Sequence, residues 1–155
     1  MASVLIAAAW FSLVIHAIAL SWIDARTHRL PNRLLVSCAG IGIGLMAAAA
    51  ILGGDAAPVL RGLAVGTGAL ALFAIAHVLG GLGMGDVKYA WILGFYLGTL
   101  GVMTAWWGLW WGFAIAAVAI MVRRRSVGRW RKARIPFGPF MTVGAAVSCA
   151  AFAFG

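Results

Sequence analysis

Three carboxylates, Asp24, Asp55 and Asp86, are the only acidic side chains in a chain of 155 residues that carries 12 lysines and arginines. Two of them suggest one chemistry. Carboxyl groups about 3 Å apart cannot both ionise, so one keeps its proton near neutral pH. The ionised member takes a proton from water as general base while the neutral member polarises a carbonyl. Together they hydrolyse a peptide bond with neither a metal nor a covalent intermediate. The pair needs no third residue type, which suits a chain without a credible Ser-His or Cys-His set. Asp55 stands in the turn Gly53-Gly54-Asp55-Ala56-Ala57-Pro58 and is expected to shape it. Asp24 and Asp86 lie at the ends of long apolar runs, where acidic side chains are costly and usually functional.

Helix polarity assigns roles within the pair. Asp86 opens an apolar run, where the positive end of a helix dipole favours the charged form, so it is expected to start as the base. Asp24 closes a run, which favours the proton and the role of acid. Gly80, Gly81, Gly83 and Gly85 precede Asp86. Glycines permit positive φ and close backbone approach, so an extended substrate strand is expected beside Gly83 and Gly85. A phosphate-binding loop would need a strand-to-helix context, and Asp86 would repel its phosphate. The scattered His16, His28 and His77, with Cys38 and Cys149, offer no metal-ligand spacing, so neither a metal nor a cofactor is expected. The cysteines read as inert apolar residues, and His16 and His77 as hydrogen-bonded members of a bundle.

The elements that must position these residues follow from composition. Apolar residues make up 65% of the chain and charged residues 10%, whereas a soluble domain carries roughly a quarter charged residues. Lipid is the expected solvent, and at about 20 residues per span there is room for six helices. The runs are Val4–Ile23, Leu34–Leu52, Val59–Leu79, about Val87–Met103, Thr104–Val122 and about Pro139–Phe154. The expected fold is therefore an all-α, polytopic six-transmembrane-helix bundle, one integral-membrane domain over residues 1–155.

Charge orients it. Seven of the 12 cations fall between Arg123 and Arg134, and Arg26, Arg29, Arg33 and Lys88 follow the first and third runs. Alternation from an outside N-terminus places these eleven in cytoplasmic loops and only Arg61 outside, with the C-terminus also outside. This clustering between apolar runs argues against nucleic acid as a partner and for anionic phospholipid. Trp106, Trp107, Trp110 and Trp111 crowd the outer start of the fifth run as an interfacial belt. Gly62/Gly66 and Gly94/Gly98 have the spacing of close-packed helix pairs.

Three short motifs resemble those of one family. Gly83-Met84-Gly85-Asp86-Val87-Lys88 resembles the GxGDxK signature of type IV prepilin peptidases. Asp24 followed seven residues on by Pro31-Asn32 resembles that family's first-aspartate motif, and Ile135-Pro136-Phe137-Gly138-Pro139-Phe140 its loop before the last helix. The GxGD element alone is shared with presenilin-like proteases; three motifs in order are specific. The resemblance implies a membrane aspartic endopeptidase that removes the basic leader of a prepilin or pseudopilin precursor. The cut falls after Gly at the cytoplasmic face of a bacterial-type inner membrane, with Asp24 and Asp86 catalytic. It also brings Pro31, Asn32 and Lys88 into the substrate-binding region, Lys88 bracing the loop or contacting headgroups. Larger relatives carry a cytoplasmic segment with paired cysteines linked to N-methylation; this chain resembles the short members that lack it. Substrates of the family often have a Glu soon after the cut, which Arg26, Arg29 or the 123–134 cluster is placed to pair. Two other classes fit parts of the pattern. One is a proton-coupled transporter using Asp24 and Asp86, which predicts carboxylates near mid-membrane; the other is an inactive pilus-assembly factor.

Overall fold

The computed structural model describes residues 1–79, 82–126 and 136–154. These residues form helices α1 (Ala2–Thr27), α2 (Asn32–Gly53), α3 (Ala57–Val78), α4 (Met84–Leu100), α5 (Val102–Ser126) and α6 (Gly138–Phe154). The result is an all-α, multi-pass bundle of membrane type. α1, α2, α3 and the Val102–Ala119 part of α5 are long and apolar enough to cross a membrane. α4 and α6 have 17 residues each, about 25 Å of helix, slightly less than the hydrocarbon thickness of about 30 Å. Of the basic cluster at 123–134, residues 127–134 lie outside the described residues, as do Gly80 and Gly81.

The helices end where local chemistry stops them. α1 closes on His28 in the left-handed region (φ 51°), its N–H returning to the Asp24 carbonyl at 2.8 Å. Pro31 is extended (φ −69°, ψ 124°) and leads into α2. Gly54 ends α2 with φ 68°, and the exposed Asp55 carboxylate accepts the Ala57 N–H at 2.9 Å, the turn-forming role expected of it. The fourth helix starts at Met84 and stops at Leu100, earlier than the apolar pattern suggests, and Gly101 alone joins it to α5. Two causes meet there. Glycine is a poor helix residue, and Arg61 of α3 donates from Nε to the Gly98 carbonyl (2.9 Å) and from Nη2 to the Thr99 carbonyl (2.6 Å), satisfying the end of α4.

α4 is the central element. Ten of its residues, Val87, Tyr89, Ala90 and the unbroken run Ile92–Gly98, are buried. A helix apolar all round belongs in the middle of a bundle, and α4 packs on α2, α3, α5 and α6. Its closest neighbour is α3, through the two glycine pairs. A Cβ on Gly62 would lie 2.7 Å from the Phe95 carbonyl oxygen, and one on Gly98 would lie 3.0 Å from the Cα of Gly62. Gly94 meets Gly66 in the same way, at 3.1 Å. α5 and α6 form a second glycine-lined pair, where Gly144 faces Gly108 and Gly112. α1 packs on α2 and α6, and meets α4 through side chains: the Tyr96 hydroxyl donates to the Ala9 carbonyl at 3.2 Å, and the Trp10 and Tyr96 rings meet edge to face. Trp106, Trp107, Trp110 and Trp111 face outward from α5. Cys38 is buried and free, Cys149 half-buried and free.

This packing sets a paired expectation. Gly62→Ala drives a methyl into backbone that cannot rotate away and costs about 1–3 kcal/mol, lowering the melting temperature in detergent. Gly44→Ala, whose Cβ meets nothing within 4 Å, is neutral or stabilises by up to about 1 kcal/mol. Equal melting of the two variants would contradict the glycine-dependent approach of α3 and α4.

Candidate active site

α1 buries a stripe that descends through Ala9, Leu13, Ala17 and Leu20 to Asp24. The three- and four-residue steps keep these side chains on one face, so helical periodicity alone turns Asp24 inward, leaving it 5% exposed. Its partner comes from the start of α6. The Gly138 N–H donates to Asp24 Oδ2 at 2.9 Å, and a Cβ on Gly138 would stand 3.0 Å from that oxygen, so the glycine permits the approach.

Asp86 occupies the first turn of α4 and is half-buried. Its Oδ2 accepts the Gly83 N–H at 3.1 Å. The carboxylate thus satisfies one of the free donors of its own helix start, as a third-position acid does in a capping box. Gly83 has φ −77° and ψ 150°, and Gly54 is the only described glycine with positive φ. Gly83 and Gly85 therefore do not use the left-handed freedom that glycine permits; the close approach it also permits is found at Gly85, where a Cβ would lie 2.9 Å from the Leu30 Cβ.

A set of hydroxyls lies one turn deeper and draws the two carboxylate-bearing helices together. Ser21 stands three residues before Asp24, Tyr89 three after Asp86, and Thr142 four after Gly138. In all three helices that step leads from the carboxylate level into the bundle. The Ser21 and Tyr89 hydroxyls each lie 2.8 Å from Thr142 Oγ1, which donates to the Gly138 carbonyl at 3.0 Å. α1 and α4 therefore share α6 as a common support, and Asp24 and Asp86 occupy one end of the bundle.

The electrostatics register that proximity. Both carboxylates lie beyond the apolar runs of their helices. Burial is the main force raising the Asp86 pKa to about 6; the Gly83 N–H opposes it, and the charge of Asp24 adds to it. Burial raises Asp24 also, against the Gly138 N–H and the charge of His28. The dipole argument, which favours charge on Asp86, thus competes with burial and with a second carboxylate nearby.

The loops around the pair are tied to it. Lys88 Nζ donates to Asn32 Oδ1 at 2.8 Å, joining the start of α4 to the start of α2. With Leu30 against Gly85, this holds the 30–32 corner beside the Asp86 turn. His77 Nδ1 donates to the Leu82 carbonyl at 2.7 Å, fastening the end of α3 to the segment leading into α4. His16 lies apart from the carboxylate end, with Nδ1 2.8 Å from the Ser12 carbonyl and Nε2 3.0 Å from Ser37 Oγ. No three metal-ligating side chains cluster among the described residues. Ser21, Tyr89 and Thr142 escape a reading based on charge, because hydroxyls inside apolar helices carry no mark of their own. The three-residue spacing from each aspartate is the signal that points to Ser21 and Tyr89.

Fold and site together define a polytopic membrane protein with two carboxylates gathered at one end of its bundle. Residues 11–154, most of the chain, match the family model described as the type IV leader peptidase family, and the protein belongs to that family. No curated protein and no solved structure matches the chain.

The raised Asp86 pKa has a consequence for stability. Its carboxyl holds a proton to about pH 6 when folded and to about pH 4 when unfolded. In that window the folded state binds more protons, so stability falls as pH rises from about 4 through about 6. Asp86→Asn removes this cost. The variant should melt above the wild type in detergent at neutral pH, with the difference shrinking towards pH 4. A difference that does not change with pH would count against a raised Asp86.

Proposed function

We propose that the protein is a membrane aspartic endopeptidase that removes the basic leader of a type IV pilin-like precursor, cutting after Gly at the cytoplasmic face. The whole chain acts as one peptidase domain. All six helices cross a bacterial-type inner membrane with both termini outside, α4 and α6 by way of a locally thinned bilayer or flanking polar residues. The observation that carries the reading is that Asp24 and Asp86 stand one turn above the same Ser21–Thr142–Tyr89 cluster, at one end of the bundle, in a chain whose family is that of leader peptidases.

The pair shares one proton. Asp86, half-exposed and pushed up to about 6, is ionised near neutral pH yet basic enough to take a proton from water. Asp24, sealed by α6, holds the proton on the oxygen that Gly138 does not occupy and presents it to the scissile carbonyl. Water adds to the carbonyl carbon as Asp86 accepts its proton. Collapse of the tetrahedral intermediate breaks the C–N bond, and a proton passes to the leaving amine. Because the two groups are coupled, the pH dependence belongs to the pair. The precursor's extended cleavage segment lies between the Gly83–Gly85 turn and the Pro31–Asn32 corner, with Lys88 bracing both through Asn32. Its apolar helix and anionic phospholipid supply affinity that a basic protein face cannot give to a basic leader. Carboxylates at one end of the bundle favour hydrolysis over proton-coupled transport, which requires a polar path across.

Co-expression with pilin-like precursors, read by mass spectrometry of the mature N-terminus, tests this. Asp24→Asn and Asp86→Asn should each abolish leader removal at unchanged membrane levels, while Asp55→Asn processes normally. Mature pilin from either single variant would overturn the two-aspartate mechanism.

A further inference from the structure

Resting on that reading, we infer that Thr142 is a positioning residue for the reaction: its hydroxyl, clamped by Ser21 and Tyr89, holds Gly138 so that the Gly138 N–H keeps Asp24 in its working orientation.

Hydrogen-bond inventory fixes the direction of each bond. A threonine hydroxyl has one proton and two acceptor sites. The Gly138 carbonyl is acceptor-only and takes the Thr142 proton at 3.0 Å. Tyr89 is 0% exposed, and Thr142 is the partner of its hydroxyl, so Tyr89 donates to Thr142. Ser21 fills the remaining acceptor site, 2.8 Å away. All three capacities of Thr142 are used, one on each of α1, α4 and α6. Such a junction resists rotation, because turning the hydroxyl would break several bonds in a setting where water does not replace them.

Gly138 is held on both sides. Its carbonyl is engaged by Thr142 and its N–H by Asp24. It is the first residue of α6 and follows Phe137, whose ring packs on Phe73 and Phe113. Helix starts leave their N–H groups free of intrahelical partners, and the Gly138 N–H is spent on the Asp24 carboxylate. Relaxing the Thr142 clamp therefore removes one of the bonds that hold the group of α6 donating to Asp24. Among the described residues, the other charged groups bearing on this pair are Asp86 from α4 and His28 from the end of α1. α2 begins with Asn32 and Arg33 at this end. α6 carries no acidic or basic side chain, and its one thiol, Cys149, lies about three turns from Gly138. None of these substitutes for the Gly138 N–H.

The test uses Thr142→Val, which keeps the shape and removes the hydroxyl, Tyr89→Phe, which removes one donor, and Thr142→Ser, which restores the hydroxyl. Cleavage of a pilin-like precursor is followed in membranes across pH, with melting temperature measured alongside. Thr142→Val should lower kcat about tenfold to a hundredfold with KM within about twofold, since the substrate itself is not touched. Losing an N–H that favours ionised Asp24 should also move the pH profile to higher pH, by about half a unit or more. Tyr89→Phe should shift the profile in the same direction by less, and Thr142→Ser should recover most of the lost rate. A folded Thr142→Val with the wild-type pH profile overturns the inference. If that variant does not fold, an unshifted profile in Tyr89→Phe overturns it. Failure of the wild type to cleave any precursor would instead remove the peptidase reading on which it rests.

Discussion

A polar group buried away from water must find its partner within the protein, and the carboxylate end of this bundle is arranged by that demand. Asp24 is turned inward by the same periodicity that buries Leu13 and Leu20. Left alone there it would be costly; the Gly138 N–H supplies its partner. That bond requires α6 to begin at this depth and against α1. Thr142 then falls one turn lower, where it meets Ser21 and Tyr89. One buried carboxylate thus fixes the placement of α6, and through Tyr89 the register of α4, which carries Asp86. No buried side-chain nitrogen or oxygen among the described residues lacks a partner.

The second requirement is a rigid central helix. Hydrophobic burial does not hold helices together in hydrocarbon, so close van der Waals contact must. The facing pairs Gly62/Gly66 and Gly94/Gly98 let α3 and α4 approach until one backbone touches the other. Arg61 closes the far end of α4, and Asp86 satisfies a donor at its near end. The helix that presents Asp86 is therefore fixed at both ends and along its length. On the peptidase reading this matters for chemistry as well as stability, because general acid–base catalysis depends on where two oxygens stand relative to one bond. The loop side is held by an exposed bond from Lys88 to Asn32 and a part-buried one from His77 to the Leu82 carbonyl. A substrate strand would have to enter on that side.

Much of this is legible in the residue order. Apolar runs separated by glycine, proline and charge define the helices, because lipid tolerates little else, and the three motifs around Asp24, Asp86 and Gly138 point to the family that the chain matches over residues 11–154. The turn role of Asp55 also follows from its neighbours alone. Hydropathy misplaces the join between α4 and α5 by two or three residues, because it runs unbroken across Gly101 while the cap from Arg61 comes from another helix. Glycine at position 83 does not reveal the conformation it adopts; the chain there is extended, and Asp86 satisfies its N–H.

What the sequence determined by itself is local: which segments are helical, which carboxylates stand at their ends, and that the two candidates share an end. Those depend on periodicity and on the alternation of spans, both of which are written along the chain. What only the tertiary structure decided is how the carboxylates are brought together. α1 and α4 reach each other largely through α6, by a glycine N–H and a threonine hydroxyl contributed more than 50 residues beyond Asp86. A backbone donor has no side-chain signature, and a hydroxyl acquires its role from its partners. Their part in the site exists only once three helices are packed.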